Sequence, residues 1–235
     1  MNEVNESKLE GKRLILAATI PILVMFVCWM LKILEISLDI SFSHYGIYPR
    51  DFHSWTGLIM MPLIHGDIAH IAANTVAFIV LVTGVFYFYK EFALKILLYS
   101  WIFTGLLTWL IGREAYHIGA SGLVYAFAGF IFLSGVLRNH IQLMAISLLV
   151  VFVYGSMIWG IFPIKPQMSW EGHLSGLVTG FCLAYIYRKQ GPQRKIYTWD
   201  DDDDDNDTGV DGGSGSSHVS TTHKFFPEYD YKENE

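Results

Sequence analysis

Gly119-Ala120-Ser121-Gly122 is followed without a break by LVYAFAGFIFLSGVL, residues 123–137. A small-residue turn carrying a hydroxyl therefore opens an apolar run long enough to span a bilayer at the usual helical rise. A serine in that position can serve as a plain N-cap, its oxygen taking an orphan backbone N–H. Its meaning depends on what else lies inside the apolar segments.

The 235-residue chain is 52% hydrophobic and only 16% charged, and its mean hydropathy is +0.36. The apolar residues gather in long charge-free runs rather than at the periodicity of a soluble core, which points to an all-α polytopic membrane protein. Cys28 and Cys182 both sit inside apolar runs, so they read as small buried hydrophobes and no disulfide framework is indicated. The net charge of −6 owes much to the C-terminal end, so it says nothing for a nucleic-acid partner, and none is expected.

Working outward along the chain, six spans are expected. A polar cytoplasmic segment, 1–13, ends in Lys12-Arg13, and the first span runs from Leu14 to Leu31. An aromatic outer connection covers about 33–68, with Tyr48, Phe52 and Trp55 suited to the headgroup layer, a re-entrant piece being the alternative. The later spans are expected at Ile68–Tyr89, Phe92–Ile111, Ser121–Leu137, Ile141–Phe162 and Glu171–Tyr187. Beyond the 14–190 unit, residues 191–235 carry Asp200 to Asp205 in a row and a GGSGSS stretch, which reads as a disordered acidic cytoplasmic tail. With the N-terminus inside, ten Lys and Arg residues lie near cytoplasmic span ends and four outside, so both termini are expected in the cytoplasm.

Polar side chains inside lipid are costly, and those that persist usually face the protein interior and carry function. Here they are few: His70 and Asn74 in the second span, Ser121 at the head of the fourth, His173 one turn into the sixth. Each has a plain explanation on its own, as a cap, an interfacial histidine or interhelical hydrogen-bond glue. Together they fall in one outer-leaflet layer, because the second, fourth and sixth spans all run inward. Glycines at 172, 176 and 180 let the sixth span approach closely, and Gly122, Ala126 and Gly129 offer a compatible face on the fourth. Close approach would bring His173 within hydrogen-bond reach of Ser121, as a general base requires. No Asp or Glu lies at mid-membrane depth, which weighs against an ion-coupled transporter.

Gly119-Ala120-Ser121-Gly122 resembles the G-x-S-G motif of the rhomboid intramembrane serine proteases. His65-x4-His70-x3-Asn74 is similar to that family's second-helix signature and Gly172-His173-Leu174 with Gly176 and Gly180 to its sixth. The resemblance covers about residues 14 to 190 and implies a six-transmembrane-helix rhomboid-like bundle. It implies a serine endopeptidase with Ser121 as nucleophile and His173 as base, and an oxyanion site of His70, Asn74 and the Ser121 N–H. It gives Tyr125 the role of packing on the catalytic histidine, with Gly119 and Gly122 in support. It implies no cofactor or metal, and substrates that are single-span membrane proteins cut in or beside their transmembrane segment. Two departures stand out: Trp55 is followed by Thr56 where many members have Arg, and Gly84-Val85-Phe86-Tyr87 lacks a common glutamate. The compact unit suggests a bacterial plasma membrane, and a catalytically inactive rhomboid-like protein that binds membrane clients is the second reading.

Overall fold

The computed structural model describes residues 2–139, 141–153, 158–164 and 167–191. The acidic run and the remainder of the expected tail lie outside the described residues. The helices are α1 (Asn2–Leu38), a single turn α2 (Gly57–Met60), α3 (Ile68–Phe88), α4 (Ala93–Ile111), α5 (Ser121–Arg138), α6 (Ile141–Val153) and α7 (Trp170–Ile186). Among the described residues there is no β-strand, only an isolated antiparallel bridge between Ile47 and His117. Ser7–Leu38 of α1 together with α3, α4 and α5 are long and apolar enough to cross a membrane. The chain is a multi-pass membrane protein. At 17 residues α7 is shorter than a full crossing at the usual rise, and α6 is described over Ile141–Val153.

Two elements differ from expectation in their bounds. The first helix is not limited to 14–31: its polar start is helical from Asn2, consistent with good helix formers such as Glu10, Lys8 and Lys12. At its other end it continues through the supposed start of the loop to Leu38. There Lys32 Nζ bonds Glu35 at 3.0 Å and the carbonyls of His65 and Gly66 at 3.1 and 2.8 Å. Buried Glu35 also accepts from the Phe42 N–H at 2.6 Å, which turns the chain back. The second correction concerns the fifth span. α6 is described over Ile141–Val153, and Trp159–Ile161 form a 3-10 turn where an α-helix was expected to run on to Phe162. Phe162 is extended, as a residue before proline tends to be. Gly160 O, in turn, points to a histidine rather than to an amide one turn on.

The connection at 39–67 is a packed structure rather than a floppy loop. Ile47, Met61 and Ile64 are buried in it while Phe52 and Trp55 stand exposed, as side chains destined for the headgroup layer would.

The core is built on α5, with Leu123, Phe127, Phe130 and Ile131 essentially inaccessible. α7 lies against it at backbone distance: a Cβ on Gly176 would collide with Gly122 O, and one on Gly180 with Ala126 O. At the far end Arg138 donates to the carbonyls of Tyr187 and Gln190 at 2.5 and 2.6 Å, locking the end of α5 to the end of α7. Packing of this kind, with no side chain between backbones, leaves nothing that can yield to an added methyl group. Gly176→Val should therefore destabilise the protein by about 3 kcal/mol or more. Gly11→Ala, where a Cβ meets nothing within 4 Å, should be near neutral, both read by thermal denaturation in detergent micelles.

Candidate active site

The segment ahead of α5 is set by two anchored backbone amides. Gly119 adopts φ +108°, a left-handed conformation that favours glycine, and its N–H donates to Met61 O at 2.8 Å. The Ala120 N–H donates to His65 Nε2 at 3.3 Å. The next amide belongs to Ser121, in a first turn whose N–H groups have no intrahelical acceptor. Ser121 thus opens the helix directly after a turn held by its two preceding amides.

His173 sits in the first turn of α7, its N–H donating to Ser169 O at 3.2 Å. Its Nδ1 lies 2.8 Å from Gly160 O and its Nε2 2.8 Å from Ser121 Oγ. A carbonyl only accepts, so Nδ1 carries the proton and Nε2 is left as the acceptor of the serine O–H. The Tyr125 ring stacks on the imidazole, with centroids 4.3 Å apart and 15° between planes. A hydroxyl, a ring nitrogen placed to accept its proton and a carbonyl that fixes the tautomer stand in line, the geometry nucleophilic catalysis requires, with a backbone carbonyl in the place a carboxylate often takes.

His70 and Asn74, one turn apart on α3, face Gly119. A Cβ there would stand 2.7 Å from His70 Cε1 and 3.8 Å from Asn74 Nδ2. The α3 N-terminus is held by Asp67, which accepts the His70 N–H at 2.7 Å. Asn74 Nδ2 is buried and has no hydrogen-bond partner among the described residues. A donor left unpaired inside a protein costs free energy, so its place beside the serine turn is informative. Ser121, Tyr125, His173, His70 and Asn74 all line one cavity of about 600 Å³. Among the described residues no cluster of His, Cys, Asp or Glu is placed to hold a metal ion.

Sequence reasoning overlooked two contributors. Gly160 acts through a carbonyl, which leaves no side-chain signature. His65 was visible only as part of a motif. In the structure it is buried, bonds the Ala120 amide and packs edge-on against His70 at 5.1 Å.

The chain matches the Rhomboid domain family over residues 53–190, a stretch that contains every residue of this cavity. The chain belongs to the rhomboid family. Members are generally intramembrane serine proteases. Similar proteins include uncharacterized proteins of Mycobacterium bovis and Mycobacterium tuberculosis, each 36% identical over 164 residues, covering 64% of this chain and 65% of the relative. An uncharacterized protein of Mycobacterium leprae is 31% identical over 154 residues, covering 59% of this chain and 58% of its own length. This rhomboid thus spans somewhat less than two thirds of the length of these curated relatives.

Outside the spans, two buried loop histidines, His65 and His117, make the fold sensitive to acid. Burial, reinforced by the neighbouring His70, pushes the His65 imidazole down to about 3 from its ordinary 6.5, and burial lowers His117 as well. His65 stays neutral in the folded protein, and both bind protons more readily once unfolded. Stability is therefore lost as pH falls below about 6.5. The melting temperature in detergent should drop between about pH 7 and pH 4. His65→Gln should be less stable at neutral pH and show a shallower pH dependence.

Proposed function

We propose that this rhomboid is an active intramembrane serine endopeptidase that cleaves single-span membrane proteins in or next to their transmembrane segments. The observation that carries the reading is the 2.8 Å contact between His173 Nε2 and Ser121 Oγ, with the imidazole tautomer set by Gly160 O. Ser121 Oγ attacks the scissile carbonyl carbon while its proton passes to His173 Nε2. The resulting oxyanion takes hydrogen bonds from His70, Asn74 Nδ2 and the Ser121 N–H, at a helix start whose dipole favours negative charge. The intermediate collapses, the C–N bond breaks, and His173 returns the proton to the leaving amine. Water then attacks the acyl-serine ester, giving its proton to His173. The carboxyl product leaves and Ser121 recovers its hydroxyl proton.

The alternative, a catalytically inactive rhomboid-like protein that binds membrane clients, is disfavoured because such relatives typically lack the serine or the histidine. The unpaired Asn74 amide adds support, since a donor held without a partner suits an enzyme that completes its hydrogen bonds only when charge develops. The balance of basic residues near span ends supports cytoplasmic termini, with the cavity opening outward in a bacterial plasma membrane. No cofactor is needed for this chemistry.

Reconstituted protein should cut a single-span model substrate and be labelled at Ser121 by a fluorophosphonate. Ser121→Ala and His173→Ala should each lower cleavage by about 10³-fold or more. Asn74→Ala should cost about 10²-fold in kcat. Undiminished cleavage in Ser121→Ala would refute the assignment.

A further inference from the structure

His117 lies outside the groups that would touch substrate atoms, yet three segments converge on it. Its backbone pairs in both directions with Ile47 of the outer connection, at 3.1 and 2.8 Å. Its ring is buried, with Nε2 3.1 Å from Arg113 O and Nδ1 2.6 Å from Ser169 Oγ. Because a carbonyl only accepts, Nε2 carries the proton and Nδ1 of the neutral ring accepts the Ser169 hydroxyl proton. Ser169 is the N-cap of α7, and the same oxygen accepts the Gly172 N–H at 3.2 Å. A directed chain thus runs from the first turn of α7, through Ser169 and the imidazole, to the α4–α5 turn. Gly112 leaves the room for it: a Cβ there would stand 2.9 Å from His117 Nε2.

We propose that His117 is a positioning residue for the Ser121–His173 pair. It clasps the turn that presents Ser121 to the cap of the helix that presents His173. The inference rests on the dyad reading above and adds to it the element that sets the dyad's spacing. One turn of α7 separates the cap from His173, so a frayed cap moves the base directly. A misplacement of about 1 Å between reacting groups can cost about 10²-fold in rate. A second strap joins the same two segments: Arg113 reaches Glu171 Oε1 at 3.5 Å and Met168 O at 2.8 Å. The Arg113 side chain is 38% exposed, so water screens that pair, whereas the His117 ring is buried.

The test uses the full-length protein in detergent, with two readouts: the rate of fluorophosphonate labelling at Ser121, and amide hydrogen exchange across residues 170–173. His117→Ala should slow labelling by between about 10- and 100-fold and speed exchange in that turn. Ser169→Ala should do the same, and the double variant should be no slower than either single one. His117→Asn, whose Oδ1 can accept in place of Nδ1, should recover most of the rate, which a purely space-filling role would not permit. Unchanged labelling and exchange in His117→Ala would overturn the clasp, as would an Asn variant no better than Ala. If His117→Ala does not fold, Ser169→Ala, which removes a single hydroxyl, decides by the same readouts. Wild-type protein that fails to label would sink the dyad reading, while exchange would still report on the clasp.

Discussion

The contact of the α5 and α7 backbones is the constraint on which the rest of the molecule depends. Where Gly176 faces Gly122 O and Gly180 faces Ala126 O, no side chain stands between the helices. In a bilayer, where lipid is as apolar as leucine, such contact gains dispersion rather than hydrophobic energy, and it tolerates no wedge. It also fixes distance. The helix starts that carry Ser121 and His173 sit close because the backbones behind them do, and Arg138 closes the opposite end onto Tyr187 and Gln190.

Around that contact the site is oriented largely by main-chain groups. Gly160 O selects the His173 tautomer, Met61 O holds the Gly119 amide, and His65 takes the amide of Ala120. Backbone groups are rigid and carry no rotamer entropy, so they suit a site whose working distances must hold inside a mobile bilayer. The Asn74 side-chain amide is an exception, its Nδ2 buried without a hydrogen-bond partner among the described residues.

Much of the helical layout was legible because bilayer crossing demands long apolar runs. α3, α4 and α5 start and stop within a residue or so of where hydropathy puts them. The misjudged boundaries belong to segments where local interactions override hydropathy. α1 runs on at both ends, through charged residues that favour helix and through the Lys32–Glu35 pair. Trp159–Ile161 form a 3-10 turn ahead of Pro163, a backbone conformation that apolar composition does not encode.

By itself the sequence determined that the chain is a helical membrane protein and which uncommon polar residues its spans carry, because desolvation makes such residues rare enough to notice. Its motifs also identified the family. Only the tertiary structure decided that Ser121 and His173 lie 2.8 Å apart, that a carbonyl rather than a carboxylate sets the imidazole, and that His117 joins the two segments. Those facts depend on backbone direction and on contacts between residues more than fifty positions apart, at Ser121–His173 and at His117–Ser169. Side-chain identity along a single chain does not record either.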